Sequence, residues 1–155
     1  MTVIIKDFMP GKGGVMGDLS QHFSKWEFRC RDDCGEFKIS LDLIEKLENM
    51  RADIGVPIYV NSGFRCKAHN KSIGGSETSA HLHGEAADIA CNGSLDRHLK
   101  LREAYRQFQR IGIHKDFIHV DVSQELSRPV TWLYPTGNNR KNLIGKEERD
   151  SRWPH

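Results

Sequence analysis

The sequence predicts an α+β domain, because two segments with helical spacing are interleaved with short segments rich in β-branched and aromatic residues. The helical segments carry apolar residues three and four positions apart, which places them on one helix face. The predicted helices are 41–54 and about 95–111. The predicted strands are 58–62, 85–91, 116–122 and 128–135, with one more within 1–19.

Both predicted helices have recognisable ends. Ser40 is a suitable N-cap for the first, and Gly55 is expected to end it. The second is expected to end at Gly112. On one of its faces an arginine recurs every four residues, at Arg102, Arg106 and Arg110. Such a stripe is more typical of a solvated face than of a surface for an anionic polymer.

Length and composition favour one domain with a real core. Of the 155 residues, 37% are hydrophobic and 28% are charged, as expected for a globular protein. The net charge of +2 is too small to indicate nucleic-acid binding. No apolar run approaches the roughly 18 residues that a membrane span requires, so we expect no membrane span.

The chain divides into an N-terminal extension (1–19), a domain (20–135) and a polar tail (136–155) that has no apolar period. The extension contains a glycine-rich loop, Lys12 to Asp18, which lacks the Gly-Lys-Ser/Thr ending of a phosphate-binding loop. The first residues lack the apolar core of a signal peptide, so we expect synthesis in the cytoplasm without one.

The four cysteines leave three alternatives open. Cys30 and Cys34 have a spacing that can begin a structural zinc site, and Cys66 and Cys91 could complete a four-thiolate set. Ordinary part-buried thiols explain the same residues better in a reducing cytoplasm. A disulfide is a third possibility if the protein works outside the cell.

Two histidines and an aspartate indicate a metal site. As a strand, 85–91 places Asp88 on a face of alanines, where a lone carboxylate is costly to desolvate and needs a cation. His81 lies just before this strand, and His119 shares a face with Phe117 and Asp121 in another. Three N and O ligands with one open position are typical of a catalytic zinc.

The stretch around these residues resembles a known family. Ser79-x-His81-x-x-Gly-x-Ala-x-Asp88 is similar to the motif of bacterial and phage zinc D-alanyl-D-alanine carboxypeptidases and L-alanyl-D-glutamate endopeptidases. These peptidoglycan peptidases share a core with lysostaphin-type enzymes and the hedgehog domain. Further matches follow the family order over about 20–135, namely Ser62-Gly-Phe-Arg65, Asn70, Gly74-Gly75 and Phe117-Ile-His119-Val-Asp121.

The resemblance implies a hedgehog/D-Ala-D-Ala peptidase-like fold, a small antiparallel sheet with helices packed on one side. It implies one zinc ion held by His81, Asp88 and His119. Asp116 takes the place of the catalytic acid/base, Arg65 that of the arginine that holds substrate and steadies the oxyanion, and Ser79 that of a serine along the substrate. The expected partner is the peptide stem of peptidoglycan, with a monomer released to the wall, most simply in phage lysis.

Two questions stay open at this stage. Nothing in the sequence separates a carboxypeptidase from an endopeptidase. The alternative function is a catalytically inactive, zinc-stabilised binding module of the hedgehog-like type.

In an ideal strand Asp116 and His119 face opposite sides, so Asp116 must lie on the turn before the strand to reach a water at the metal.

Overall fold

The computed structural model of the chain describes residues 1–6 and 17–135. Most of the glycine-rich loop and the whole predicted tail lie outside these residues, so the predicted division at 19 and 135 stays a prediction. Within the described ranges, no helix has the length and apolar character needed to cross a membrane.

Along the described chain, helices and strands are interleaved up to residue 107, and three strands follow one another from residue 110 to residue 133. The helices are α1 (Lys25–Phe28), α2 (Leu41–Ile54), α3 (Lys67–Ser72) and α4 (Ser94–Gln107), with a 3-10 helix at Ala80–His83. The strands are β1 (Thr2–Lys6), β2 (Glu36–Ser40), β3 (Val60–Ser62), β4 (Ala86–Ala90), β5 (Arg110–Ile113), β6 (Phe117–Asp121) and β7 (Val130–Leu133).

The strands form two sheets. β1 and β2 pair antiparallel as a two-stranded sheet, and the other five strands lie in the order β3-β4-β6-β5-β7. All neighbours in the larger sheet are antiparallel except β5 and β7, which run parallel at one edge. The prediction of an α+β fold with a small antiparallel sheet is confirmed, and the parallel β5–β7 pair is the one departure from it among the described strands.

The larger sheet has one apolar face and one polar face. Alternating residues of β4 and β6 that face α2 and α4 are fully buried in the core, namely Ala87, Ile89, Ile118 and Val120. Burying this face stabilises the sheet by roughly 25 cal/mol for each Å² of apolar surface. The opposite face presents Asp88 and His119, which are cross-strand partners in the β4–β6 pair.

The predicted end of the second helix was wrong. α4 ends at Gln107, and residues 110–113 form β5, between β6 and β7. Ile111 keeps helical spacing with Phe108, but it is buried as a strand residue opposite Val120. Arg110 is therefore not on the arginine stripe. Its side chain is buried and bonds to Asp121, whereas Arg102 and Arg106 are exposed and pair with Glu103.

β2 was not predicted, and it supports the turn that carries His81. The Ser40 N–H donates to the Gly84 carbonyl at 2.8 Å. Gly84 has a φ of +68°, and a Cβ there would lie 2.3 Å from the Lys38 carbonyl oxygen. Only glycine suits both the left-handed conformation and this close approach. The contact fixes where the 3-10 helix ends and hence where His81 points.

Candidate metal centre

Three separate elements bring His81, Asp88 and His119 together. His81 comes from the 3-10 helix, Asp88 from the middle of β4, and His119 from the residue directly opposite it on β6. All three side chains are buried, at 2%, 5% and 5% exposure. The structure therefore brings these three residues together, as the sequence predicted.

The three donor atoms have the spacing that a zinc ion requires. His81 Nε2 lies 3.2 Å from Asp88 Oδ1 and 3.2 Å from His119 Nδ1, and His119 Nδ1 lies 2.9 Å from Asp88 Oδ1. Tetrahedral zinc with bonds of about 2.0–2.1 Å separates its ligand atoms by about 3.3 Å. An ion therefore needs only a small outward movement of these atoms.

The other hydrogen bonds of the two histidines explain why a cation fits here. His81 Nδ1 donates to the Gly63 carbonyl oxygen at 2.6 Å, and His119 Nε2 donates to Asp121 Oδ2 at 2.9 Å. Each neutral ring then presents a lone pair toward Asp88. Three acceptors that meet at about 3 Å repel one another, so the arrangement calls for a metal ion or a shared proton.

The charge states of His81 and Asp88 agree with the arrangement of acceptors, whereas the raised pKa of His119 corresponds to the shared proton. Burial lowers the pKa of His81. Burial opposes the charged form of Asp88, but the two histidines outweigh it and hold the pKa of that carboxyl well below its ordinary value. Burial likewise disfavours protonated His119, yet the hydrogen bonds to Asp121 and Asp88 raise its pKa. Asp88 is thus an ionised carboxylate beside two imidazoles.

Arg65 lies at the edge of this cluster. Its Nη2 donates to Asp88 Oδ2 at 2.5 Å, and its Nε donates to Ser62 Oγ at 2.9 Å. No hydrogen bond from Nη1 joins it to the described part of the chain. Ser79 is the half-buried residue just before the 3-10 helix, and its carbonyl accepts from the Leu82 N–H. Of the two predicted substrate-binding residues, Arg65 therefore contacts the cluster through Asp88. Ser79 lies two residues before His81 in the chain.

The structure does not bring Asp116 into contact with the cluster. Asp116 lies on the bend just before β6, as the strand geometry required, but its side chain is 60% exposed. Its carboxylate accepts from Lys115 Nζ at 2.7 Å, and this bond lowers its pKa. Among the described residues, no hydrogen bond or ion pair links it to the two histidines.

Trp132 and Tyr134 of the last predicted strand form an aromatic wall beside His119, a role that the sequence prediction did not assign to them. The Trp132 ring lies 5.2 Å from the His119 ring, and Tyr134 packs against both Trp132 and Phe117. A Cβ at Gly112 would lie 2.6 Å from Trp132 and 2.7 Å from Tyr134, so glycine makes room for these rings. Their aromatic character was visible, but only the parallel β5–β7 pairing brings them to the site.

Asp121 is the hydrogen-bond partner of His119 on the side away from Asp88. Besides His119, it binds Arg110, whose Nε donates to Oδ1 at 2.9 Å and Oδ2 at 3.1 Å. The Ser123 N–H donates to Oδ1 at 3.1 Å. A carboxylate held from three sides fixes the orientation and tautomer of the imidazole to which it is bonded.

Comparison with known proteins agrees with the geometry. The family profile described as Peptidase M15 matches residues 21–121, which include all three cluster residues. The chain belongs to the peptidase M15 family. The match ends at Asp121, so β7 and its aromatic residues lie outside the matched residues.

The similarity to a named relative supports the same assignment. Over 70 residues, this M15 chain is 39% identical to the zinc D-Ala-D-Ala carboxypeptidase of Streptomyces albus G. The match covers 39% of the chain and 28% of the relative. The chain therefore matches less than a third of the length of that protein.

Proposed function

We propose that this chain is a zinc-dependent peptidase that hydrolyses peptide bonds in the stem or cross-link of bacterial peptidoglycan. The observation that carries the proposal is the buried triad of His81 Nε2, Asp88 Oδ1 and His119 Nδ1, three acceptors within 3.2 Å of one another. Membership of the M15 family and the similarity to a zinc D-Ala-D-Ala carboxypeptidase support zinc as the ion and the wall peptide as the substrate.

The proposed roles follow from the donor set. His81, Asp88 and His119 would hold one Zn²⁺, which supplies Lewis acidity to activate water and polarise a carbonyl. Arg65 would stabilise the oxyanion or hold a substrate carboxylate through the nitrogen that Ser62 and Asp88 leave free. Ser79 would line the substrate. Fixed hydrogen bonds to both histidines would keep the triad in place during turnover.

Asp116 is proposed as the general base that takes a proton from water and passes it to the leaving amine. Its place on the bend before β6, three residues before His119, supports this role. Its carboxylate would have to turn from Lys115 toward the cluster. Hydrogen bonds of a catalytic acid or base are often long or misaligned in the free enzyme, and they tighten only when substrate is bound.

One observation favours a second candidate, a zinc-stabilised binding module without turnover. The side chain of Asp116 is 60% exposed and pairs with Lys115, so the carboxylate expected to act as acid/base does not contact the cluster. A module of this kind would keep the metal and bind wall peptide, but it would release no product.

The experiment that separates the candidates is digestion of purified peptidoglycan by the metal-replete chain, followed by mass spectrometry of the fragments. The peptidase predicts new peptide termini that disappear with a chelator and in His119→Ala. Their identity separates a carboxypeptidase, which needs a free C-terminus, from an endopeptidase. Binding to the wall with no new termini on any peptidoglycan would leave the binding module as the function.

The route to the substrate belongs to the same proposal. Peptide stems lie outside the cytoplasmic membrane, so the chain must reach the wall to act. We propose release during phage lysis as that route and a monomer as the acting species.

A further inference from the structure

A second group of metal-ligating side chains lies outside the triad. The thiols of Cys30, Cys34 and Cys66 all lie within 4.8 Å of one another. One of the three alternatives left open by the sequence grouped them with Cys91, but Cys91 is buried elsewhere, beside α4, and is not part of the cluster. None of these cysteines is in a disulfide.

The backbone brings these thiols together from two distant turns. The Phe64 N–H donates to the Phe28 carbonyl at 2.8 Å, and the Cys66 N–H donates to Cys30 Sγ at 3.4 Å. Residues 28–30 and 64–66 therefore run side by side. Cys34 comes back to them through the turn after Cys30, where the Asp33 N–H bonds to the Cys30 carbonyl.

We propose that Cys30, Cys34 and Cys66 bind a second divalent ion of the zinc class, with a structural role. Zinc–sulfur bonds of about 2.3 Å separate tetrahedral thiolates by about 3.8 Å, so the three sulfurs need little movement to close on an ion. Two of the sulfurs already accept backbone N–H bonds, Cys30 from Cys66 and Cys66 from His69 at 3.4 Å. Such bonds stabilise thiolate ligands.

We propose His69 as the fourth ligand of this ion. With Cys66 it has the two-residue spacing of many zinc sites, which gives Cys-x3-Cys and Cys-x2-His pairs in all. Its ring is mostly buried and its Nδ1 bonds to Asp32 Oδ1 at 2.8 Å, on the turn between the two paired cysteines. The ring nitrogens of His69 are not among the atoms of the three-thiol cluster, so the ring would have to turn from Asp32 toward the sulfurs to become the fourth ligand of a closed site.

The position of this centre gives it a consequence for the triad. Arg65 directly precedes Cys66, its N–H donates to the His81 carbonyl at 3.0 Å, and its side chain bonds to Asp88. An ion that ties Cys66 to the turn of Cys30 and Cys34 holds Arg65 in place. This inference stands independently of the peptidase activity.

The test counts metal ions per full-length chain, purified without chelator. Wild type should hold about two zinc ions, and Cys34→Ser and His119→Ala about one each, because each variant loses one site. Cys34 is exposed, so its replacement leaves the core intact. Cys91→Ala is the matched control, since its thiol lies outside the cluster, and it should keep two.

Cobalt identifies the ligands of the remaining ion. Co²⁺ bound to folded His119→Ala should show the intense near-ultraviolet charge-transfer absorption of cobalt–thiolate bonds, and the double variant with Cys34→Ser should lose it. A folded His119→Ala chain that holds no metal, or holds cobalt without this absorption, would overturn the inference. So would thiol titration showing that two of the three cysteines are joined as a disulfide in the purified chain. A failure of wall digestion would leave these readouts unchanged.

Discussion

At the scale of single residues, His119 connects the buried triad to the Asp121–Arg110 ion pair. Its Nδ1 faces Asp88 and His81, while its Nε2 donates to Asp121, which is itself held by Arg110. Asp121 thus selects which nitrogen of His119 has a lone pair for a metal.

Replacing Asp121 should therefore weaken metal binding. In Asp121→Asn, the amide no longer fixes the proton on His119 Nε2, and zinc affinity should fall about 10- to 100-fold. Competition with a zinc chelator of known affinity measures the change. Asp116→Asn, on the other side of His119 in the chain, is the matched control and should keep its affinity. Equal affinities for Asp121→Asn and wild type would show that His119 is not a ligand through Nδ1.

Replacing Asp116 should affect turnover alone. If its carboxylate is the general base, Asp116→Asn should lower kcat by about 10²–10⁴-fold with zinc content unchanged. Release of free amines from purified wall peptide measures the rate, with Asp53→Asn, an exposed acid at the end of α2, as the control. Loss of zinc from Asp116→Asn would make Asp116 a ligand, and an unchanged rate would remove it from the mechanism.

At the scale of elements, α4 is joined to the sheet by a buried charge. Lys100 is 1% exposed, and its Nζ donates to the Ala90 carbonyl of β4 at 2.6 Å and to Asp96 Oδ2 at 2.8 Å. Burial would raise the pKa of Asp96, but the bonds from Lys100 and the Asn92 N–H outweigh it and lower that pKa.

Removing this partner should destabilise the fold in a pH-dependent way. Asp96→Ala leaves the Lys100 charge unpaired, so we expect a loss of about 1–3 kcal/mol in the free energy of unfolding at pH 7, measured by urea denaturation. The lowered pKa means that Asp96 contributes fully above about pH 4 and less as pH falls through its folded-state value. The difference from wild type should therefore shrink at acidic pH.

Asp42→Ala is the matched control, because Asp42 is an exposed acid in the first turn of α2. Its replacement should cost no more than a few tenths of a kcal/mol to about 1 kcal/mol. An equal loss in both variants, or a difference for Asp96→Ala that does not depend on pH, would contradict the account of Lys100.

At the scale of the whole molecule, the sequence predicted what depends on local pattern. α2 was predicted to the residue, because its apolar spacing is regular and Gly55 ends it with a φ of +75°. β4 and β6 were found because small and β-branched residues alternate with His and Asp. The triad followed, since polar residues on apolar strands need a common partner.

What the sequence could not predict depends on contacts between distant segments. β5 has four residues, too few to show a two-residue period, and Phe108 and Ile111 mimic the spacing of a helix. Arg110 is buried because Asp121 of β6 pairs with it, and Trp132 lies beside His119 because β7 adds parallel to β5. The sequence correctly predicted that Asp116 lies on the bend before β6. The direction of its side chain depends on the contact with Lys115, which the sequence pattern does not reveal.

The most direct test of the central claim is an anomalous-difference map from crystals of the zinc-loaded chain, collected on both sides of the zinc absorption edge. We expect a peak about 2.0–2.2 Å from His81 Nε2, Asp88 Oδ1 and His119 Nδ1, with no fourth protein atom at bonding distance. A map without density among these three residues, or one in which a fourth side chain closes the coordination shell, would contradict the assignment of a catalytic metal centre.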